Sequence, residues 1–225
     1  MTYRKTHRVE ERLADNRMRI LAAARSLVSE GGWGEAQISN VASSADVATG
    51  SLYRYFPSKA DLFVEVLSVV SQREVDVLQA IADSDEPPYQ SLHAAVSTFV
   101  ERAMRNRRLA YALIAEPCEK EIDAARLTYR SAISKQIMRI VREGQSSGAF
   151  RVDIDPSIAA TVIVGGFMES LIGPLSPLNA DFSGPGTGGL EAVHALAQQI
   201  AGVCCSAVAA HDNVTPLNPR QGRNT

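Results

Sequence analysis

Between Gln37 and Leu62 the chain reads Q-I-S-N-V-A-S-S-A-D-V-A-T-G-S-L-Y-R-Y-F-P-S-K-A-D-L. The spacing of its apolar residues leaves few folds open. Ile38, Val41, Ala42 and Ala45 fall on one face of a helix over Gln37–Ala45. Val47, Leu52 and Phe56 supply the inward side of a second helix over Thr49–Tyr55. Only Asp46-Val47-Ala48 separates the two, so the turn must be tight, and the small Ala42 and Ala45 let the helices approach closely. A further helix is expected to start at Pro57-Ser58-Lys59, since proline is tolerated in a first helical turn. Two short helices crossed through a tight turn have the layout of a helix-turn-helix.

The rest of the chain carries the same helical period. Val9, Leu13, Ile20, Leu21, Ala24, Leu27 and Val28 mark a first helix that Gly31-Gly32 can end in a left-handed cap, with Trp33 as a core plug beneath the turn. The helix from Pro57 runs to about Ala82, and Asp83 to Pro88 breaks the pattern. Helices follow over Tyr89–Arg105, Leu109–Ala115, Glu121 to about Glu143, Pro156 to about Leu171, and Leu190 to about Ala210. Gly144–Pro156 and the glycine- and proline-rich Pro174–Gly189 read as connections. Within the latter, Gly184-x-Gly186-x-Gly188-Gly189 follows no strand and reads as linker. Pro156–Leu171 is rich in β-branched residues, but it is longer than a typical strand and lacks a polar period of two. The expectation is an all-α fold: a helix-turn-helix domain of three helices at 1–60, a larger helical domain at 61–211, and a disordered tail at 212–225.

Charge is distributed unevenly. Residues 1–60 hold 9 Lys/Arg against 6 Asp/Glu, and residues 61–225 hold 14 against 19. A basic first quarter on an acidic body suits contact with nucleic acid at one end. The odd set Cys118, Cys204 and Cys205 forms neither a disulfide framework nor a Cys-x-x-Cys metal pair, and idle thiols in a reducing cytosol are expected. The N-terminus lacks the apolar stretch of a signal peptide, and no window approaches about 18–20 uninterrupted apolar residues, so a cytoplasmic location without a membrane span is expected. His7, His93, His194 and His211 are scattered outside any HExxH or Cys-His spacing, the carboxylates show no paired arrangement, and no phosphate loop is present. No metal, cofactor or catalytic role is expected, although an all-α enzyme stays open as an alternative.

The exposed side of the second short helix presents Thr49, Gly50, Ser51, Tyr53, Arg54 and Tyr55. Short hydroxyls and glycine at its start permit insertion into a major groove, where hydroxyls reach base edges or phosphates. Lys59 joins a positive charge to the amides of a first helical turn, which suits a phosphate. At V-A-T-G-S-L-Y-R-Y-F-P-S-K-A-D-L the chain resembles the TetR/AcrR family of transcriptional regulators. It matches the family's pattern at Ala45, Val47, Gly50, Leu52, Tyr53, Tyr55, Phe56, Ser58, Lys59 and Leu62, over about the first quarter of the chain. The resemblance implies that Gln37 and Ser39 approach phosphate and that Thr49 and Ser51 approach base edges or phosphate. It further implies that Tyr53 and Tyr55 place hydroxyls on the DNA backbone and that Lys59 pairs with a phosphate. Core packing is the competing role for the two tyrosines. Arg4, Lys5 and Arg8 form either a DNA-contacting arm or a solvated tail. Asp46 replaces the family's turn glycine, and Ala48 replaces a capping serine or threonine, leaving Thr49 or Asp46 to take over the cap. Those two departures keep open an interaction module that has lost DNA binding.

What else the resemblance implies is a ligand-responsive repressor that binds a double-stranded, palindromic operator and is released by an unknown small molecule. Candidate pocket residues are Phe99, Ala103, Tyr111, Ile114, Arg126, Tyr129, Arg130, Ile133 and Phe167. Arg126, Tyr129 and Arg130 share a helix face, either to hold an anionic group or as a surface salt-bridge face. The last two helices are rich in Ala, Val, Ile and Gly, and Gly165-Gly166 allows close approach of another helix, so a homodimer through them is expected.

Overall fold

The computed structural model describes residues 7–179 and 189–210. The tail, the N-terminal arm residues Arg4 and Lys5, and most of the Pro174–Gly189 linker lie outside them. The described residues form α1 (His7–Glu35), α2 (Ile38–Ser44), α3 (Thr49–Leu52), α4 (Lys59–Ala82), α5 (Pro88–Arg105), α6 (Arg107–Ile114), α7 (Lys120–Ser146), α8 (Pro156–Leu175), a 3-10 turn (Pro177–Asn179) and α9 (Gly189–Val208). No strand occurs among them beyond an isolated antiparallel bridge between Phe150 and Ala209. The all-α expectation is met.

Local chemistry moves several ends from where periodicity placed them. α1 breaks at Gly32 (φ 79°, ψ −164°) but resumes and carries Trp33 to Glu35. α3 stops at Leu52 instead of reaching Tyr55. Arg54 N donates to Ser51 O and Tyr55 N to Leu52 O, the tighter three-residue spacing, and Pro57 disfavours helix at Phe56. α4 begins at Lys59, two residues past Pro57, which stands outside the helix. Ser58 caps it, its Oγ accepting from Asp61 N at 3.0 Å and donating to the Asp61 carboxylate at 2.8 Å. α6 begins at Arg107 because the Asn106 side chain accepts from Leu109 N. α8 runs through Pro174 to Leu175, since a proline in the last turn forfeits little, and Arg107 donates to the Pro174 carbonyl.

Two apolar clusters organise the molecule. The smaller joins Ile20, Ala24, Val28, Val41, Ala42, Leu52, Phe56, Leu62, Phe63 and Leu67 from α1–α4, and it takes in Leu109 and Ala112 of α6 and Ile122 of α7. The larger begins at Val75 and Leu78 and fills the space among α5, α7, α8 and α9. The division therefore runs through α4, between Leu67 and Val75, and the start of α4 belongs to the smaller unit. By length and composition α8 is apolar enough to cross a membrane (mean hydropathy 1.7), which the residue-by-residue reading did not anticipate. Half of that stretch is buried inside the protomer, and Phe167, Met168 and Leu171 are core residues.

Candidate nucleic-acid interface and effector cavity

The turn between α2 and α3 is built from its own backbone. Asp46 has φ 53°, the left-handed region. Asp46 N donates to Ser43 O at 3.1 Å and Val47 N to Ala42 O at 3.0 Å, the paired bonds of a Schellman end. Val47 packs on the smaller cluster and anchors the exit. Aspartate thus takes the conformation glycine favours, at a modest steric cost. Ala48 is the N-cap of α3 and offers no side-chain bond; neither Thr49 nor Asp46 replaces it. The Asp46 carboxylate instead accepts from Arg19 at 3.4 Å.

Around this turn Gln37, Ser39, Asn40, Ser43, Ser44, Thr49, Gly50, Tyr53 and Arg54 are exposed, and Ser51 is half-buried. The candidate contacts Gln37, Ser39, Thr49 and Tyr53 are therefore on the surface. Tyr55 is half-buried: it packs against the smaller cluster, and its hydroxyl accepts from Asn16 Nδ2 at 3.1 Å. Lys59 Nζ lies 5.5 Å from the Phe63 ring centre and 3.5 Å from Glu119 Oε1, so in this state its charge is paired across to the start of α7. Arg54 forms no ion pair among the described residues and is exposed. It sits two residues past Leu52, just beyond the end of α3, on the exposed side expected from the sequence. Asn16 had no signal of its own in the sequence, because its part depends on a fold contact 39 residues away.

A half-enclosed cavity of about 100 Å³ opens between α4, α5, α6 and α7, with Met168 of α8 in its wall. Of the nine candidate pocket residues, Phe99, Ala103, Ile114, Arg126, Tyr129, Arg130 and Ile133 line it. Phe167 lies behind the wall, fully buried with its ring 4.9 Å from Phe99, and Tyr111 lies under the Arg108 guanidinium outside it. Sequence reading took Phe99 and Ala103 from α5 but missed the contribution of α4 and of Arg102, which forms a two-bond ion pair with Glu74 at 2.7 and 2.8 Å. Arg126 is spent on structure. Its guanidinium donates to Leu113 O, Ala112 O and Glu116 O beyond α6, and pairs with Asp123.

The profile described as "Bacterial regulatory proteins, tetR family" matches residues 20–66, and that of a "Tetracyclin repressor-like, C-terminal domain" matches residues 85–170. The HTH-type transcriptional repressor KstR of Mycolicibacterium smegmatis is 39% identical over 103 residues, 44% of this chain and 48% of that protein. The HTH-type transcriptional regulator HbdR of Aromatoleum sp. is 31% identical over 164 residues, 72% of this chain and 62% of that protein. The chain belongs to the tetR family. The FadR regulator of Bacillus subtilis, solved in complex with stearoyl-CoA, shares the fold with a TM-score of 0.71 at 20% identity, over 84% of this chain and 97% of that one. The chain spans about half the length of the KstR relatives it matches.

In this tetR-family chain the reading unit and the cavity share a wall. Trp33 is buried, its ring 5.5 Å from Phe63, and its Nε1 donates to Ala112 O at 2.9 Å. Arg108 pairs with Glu116 at 2.7 Å and donates to Gly31 O at 2.6 Å. Gly32 is held against this pair, and a Cβ there would meet the Arg108 guanidinium at 1.6 Å. α6 is thus bonded to α1 on one side and borders the cavity on the other.

Proposed function

We propose that this chain is a DNA-binding transcriptional repressor that acts as a homodimer and leaves a palindromic operator when a small molecule enters the cavity. The observation that carries the reading is the exposed, polar α2–α3 unit, placed where the family profile matches. Thr49, Ser51, Tyr53 and Arg54 contact bases and phosphates, Gln37 and Ser39 contact phosphate, and Lys59 exchanges Glu119 for a phosphate. Tyr55 positions α3 from behind. Relatives named as repressors and regulators support the sign of control and assign no catalytic role; the expected location is the cytoplasm.

The exposed faces of α8 and α9 support the dimer. Ile158, Val162 and Val203 stand 59%, 61% and 72% exposed, unusual for large apolar side chains grouped on two packed helices. Thr161, Ser170 and Ser206 each donate to a carbonyl one turn back in their own helix, so the face presents few unmet hydrogen bonds. Gly165, Gly166 and Gly202 leave open space above them. A two-fold dimer on this face must hold its two α3 segments about 34–36 Å apart, one turn of DNA. An effector that binds a different spacing better lowers operator affinity by that difference. The stearoyl-CoA of the FadR structure supports an acyl chain as the type of guest this fold accommodates. Selection of bound fragments from total genomic DNA tests the reading: enrichment of a palindrome supports it, and no enrichment at low salt favours an interaction module.

A further inference from the structure

We infer that the effector is a largely apolar molecule ending in a carboxylate, and that Arg130 receives that carboxylate. The inference rests on the effector reading above and adds the ligand's chemical class. Val70, Phe99, Leu113, Ile133 and Met168 give the cavity an apolar wall, which selects an apolar body. Three arginines line the same cavity, and their partners differ. Arg102 is neutralised by the Glu74 carboxylate through two hydrogen bonds. Arg126 is paired with Asp123 and committed to three carbonyls. Arg130 donates from Nη2 to Ile114 O at 3.1 Å, its Nε is buried without a hydrogen-bond partner, and no carboxylate lies within ion-pair distance of it among the described residues.

A guanidinium in an apolar wall with an unmet N–H is costly, on the order of 1–3 kcal/mol for the orphaned donor alone. A carboxylate entering from the cavity meets that donor, balances the charge, and adds a charge-assisted hydrogen bond. A neutral head of the same size meets the donor but leaves the charge unbalanced. Tyr129, the neighbouring residue, lines the same cavity and carries a hydroxyl able to serve as a second donor. The placement also gives the ligand a lever. Arg130 holds the last residue of α6, two residues from the Ala112 carbonyl that Trp33 grips, so a carboxylate that draws Arg130 inward acts on the helix joined to the reading unit.

The test is calorimetry on the full chain with three probes of one chain length: dodecanoate, dodecanol and dodecanoyl-CoA. The expected result is dodecanoate binding tighter than dodecanol by at least about tenfold, the ratio that one charge-assisted bond supplies. Arg130→Gln should abolish that preference while leaving dodecanol affinity within about twofold, and Arg130→Lys should restore part of it. Equal binding of acid and alcohol, binding of the thioester alone, binding of none of the three, or a preference that survives in a folded Arg130→Gln variant would each overturn the inference. If Arg130→Gln does not fold, the comparison of acid with alcohol on the unaltered protein still decides. Retention of labelled DNA is measured separately. Dodecanoate that binds through Arg130 without releasing DNA counts against the effector reading and leaves the ligand class standing; release by a neutral molecule alone does the reverse.

Discussion

Asp46 carries the φ of 53° that the α2–α3 turn demands. A β-branched side chain there should be excluded, so Asp46→Val is expected to cost about 1–2 kcal/mol in chemical denaturation. Asp46→Gly should cost nothing or add up to about 1 kcal/mol, because the Arg19 contact it deletes is exposed and long. It also removes a negative charge beside the reading surface, so non-specific DNA affinity should rise. Cys204 and Cys205 give a second residue-scale prediction. Burial pushes their thiols from the ordinary 9.0 up to about 11 and about 12. A raised folded value means that the native state keeps protons which the unfolded chain has lost. Stability is therefore unaffected by these thiols below about pH 8 and falls as pH rises past 9. Alkylation of both at pH 8 should be slow until denaturant is added, and rapid labelling of the native protein would contradict their burial.

At the scale of elements, α7 and the turn after it depend on a glycine with a steric reason. A Cβ on Gly144 would lie 2.0 Å from the ring of Phe150, which is fully buried and whose amide donates to the Gly144 carbonyl. Gly144→Ala should lose about 1–3 kcal/mol by calorimetry, as overpacking does. Gly166 has the opposite environment, with open space above it. Gly166→Leu replaces a poor helix former by a good one, so a lone protomer should keep or gain helicity. If the α8–α9 face is the dimer contact, the same change should shift sedimentation from dimer to monomer. A variant that stays dimeric would place the contact elsewhere. Element types were readable because apolar residues recur at helical spacing throughout. Element ends were less readable, since they depend on Ser58, Asn106 and the Leu52 carbonyl finding particular partners. Phe99, Ala103 and Ile133 reached the cavity because α5 and α7 turn an apolar face inward, and Ile114 reached it from the end of α6. Glu74 escaped notice, as its pairing with Arg102 exists only once α4 lies beside α5. Tyr55 had two roles open in sequence, and its packing and its bond to Asn16, 39 residues away, support the structural one.

For the whole molecule, two cores share α4 and border α6, so α6 joins the α1–α4 unit to the cavity wall. Trp33 on Ala112 and Arg108 between Gly31 and Glu116 tie them across sequence separations of nearly eighty residues. No sequence motif encodes that tie, because a buried tryptophan and an ion pair are ordinary features until their partners are known. The helix-turn-helix was the legible part, since its fixed spacing is local. Whether α2–α3 reads DNA is tested by the salt dependence of binding to an operator recovered by genomic selection, compared between the unaltered chain and the Tyr53→Ala/Arg54→Ala double variant. Affinity should fall steeply with salt for the unaltered chain, and the double variant should bind at least about tenfold more weakly with a shallower slope, one phosphate contact changing the slope by about one. A double variant that is folded and dimeric and binds the operator with unchanged affinity and slope would contradict the assignment of α2–α3 as the reading surface.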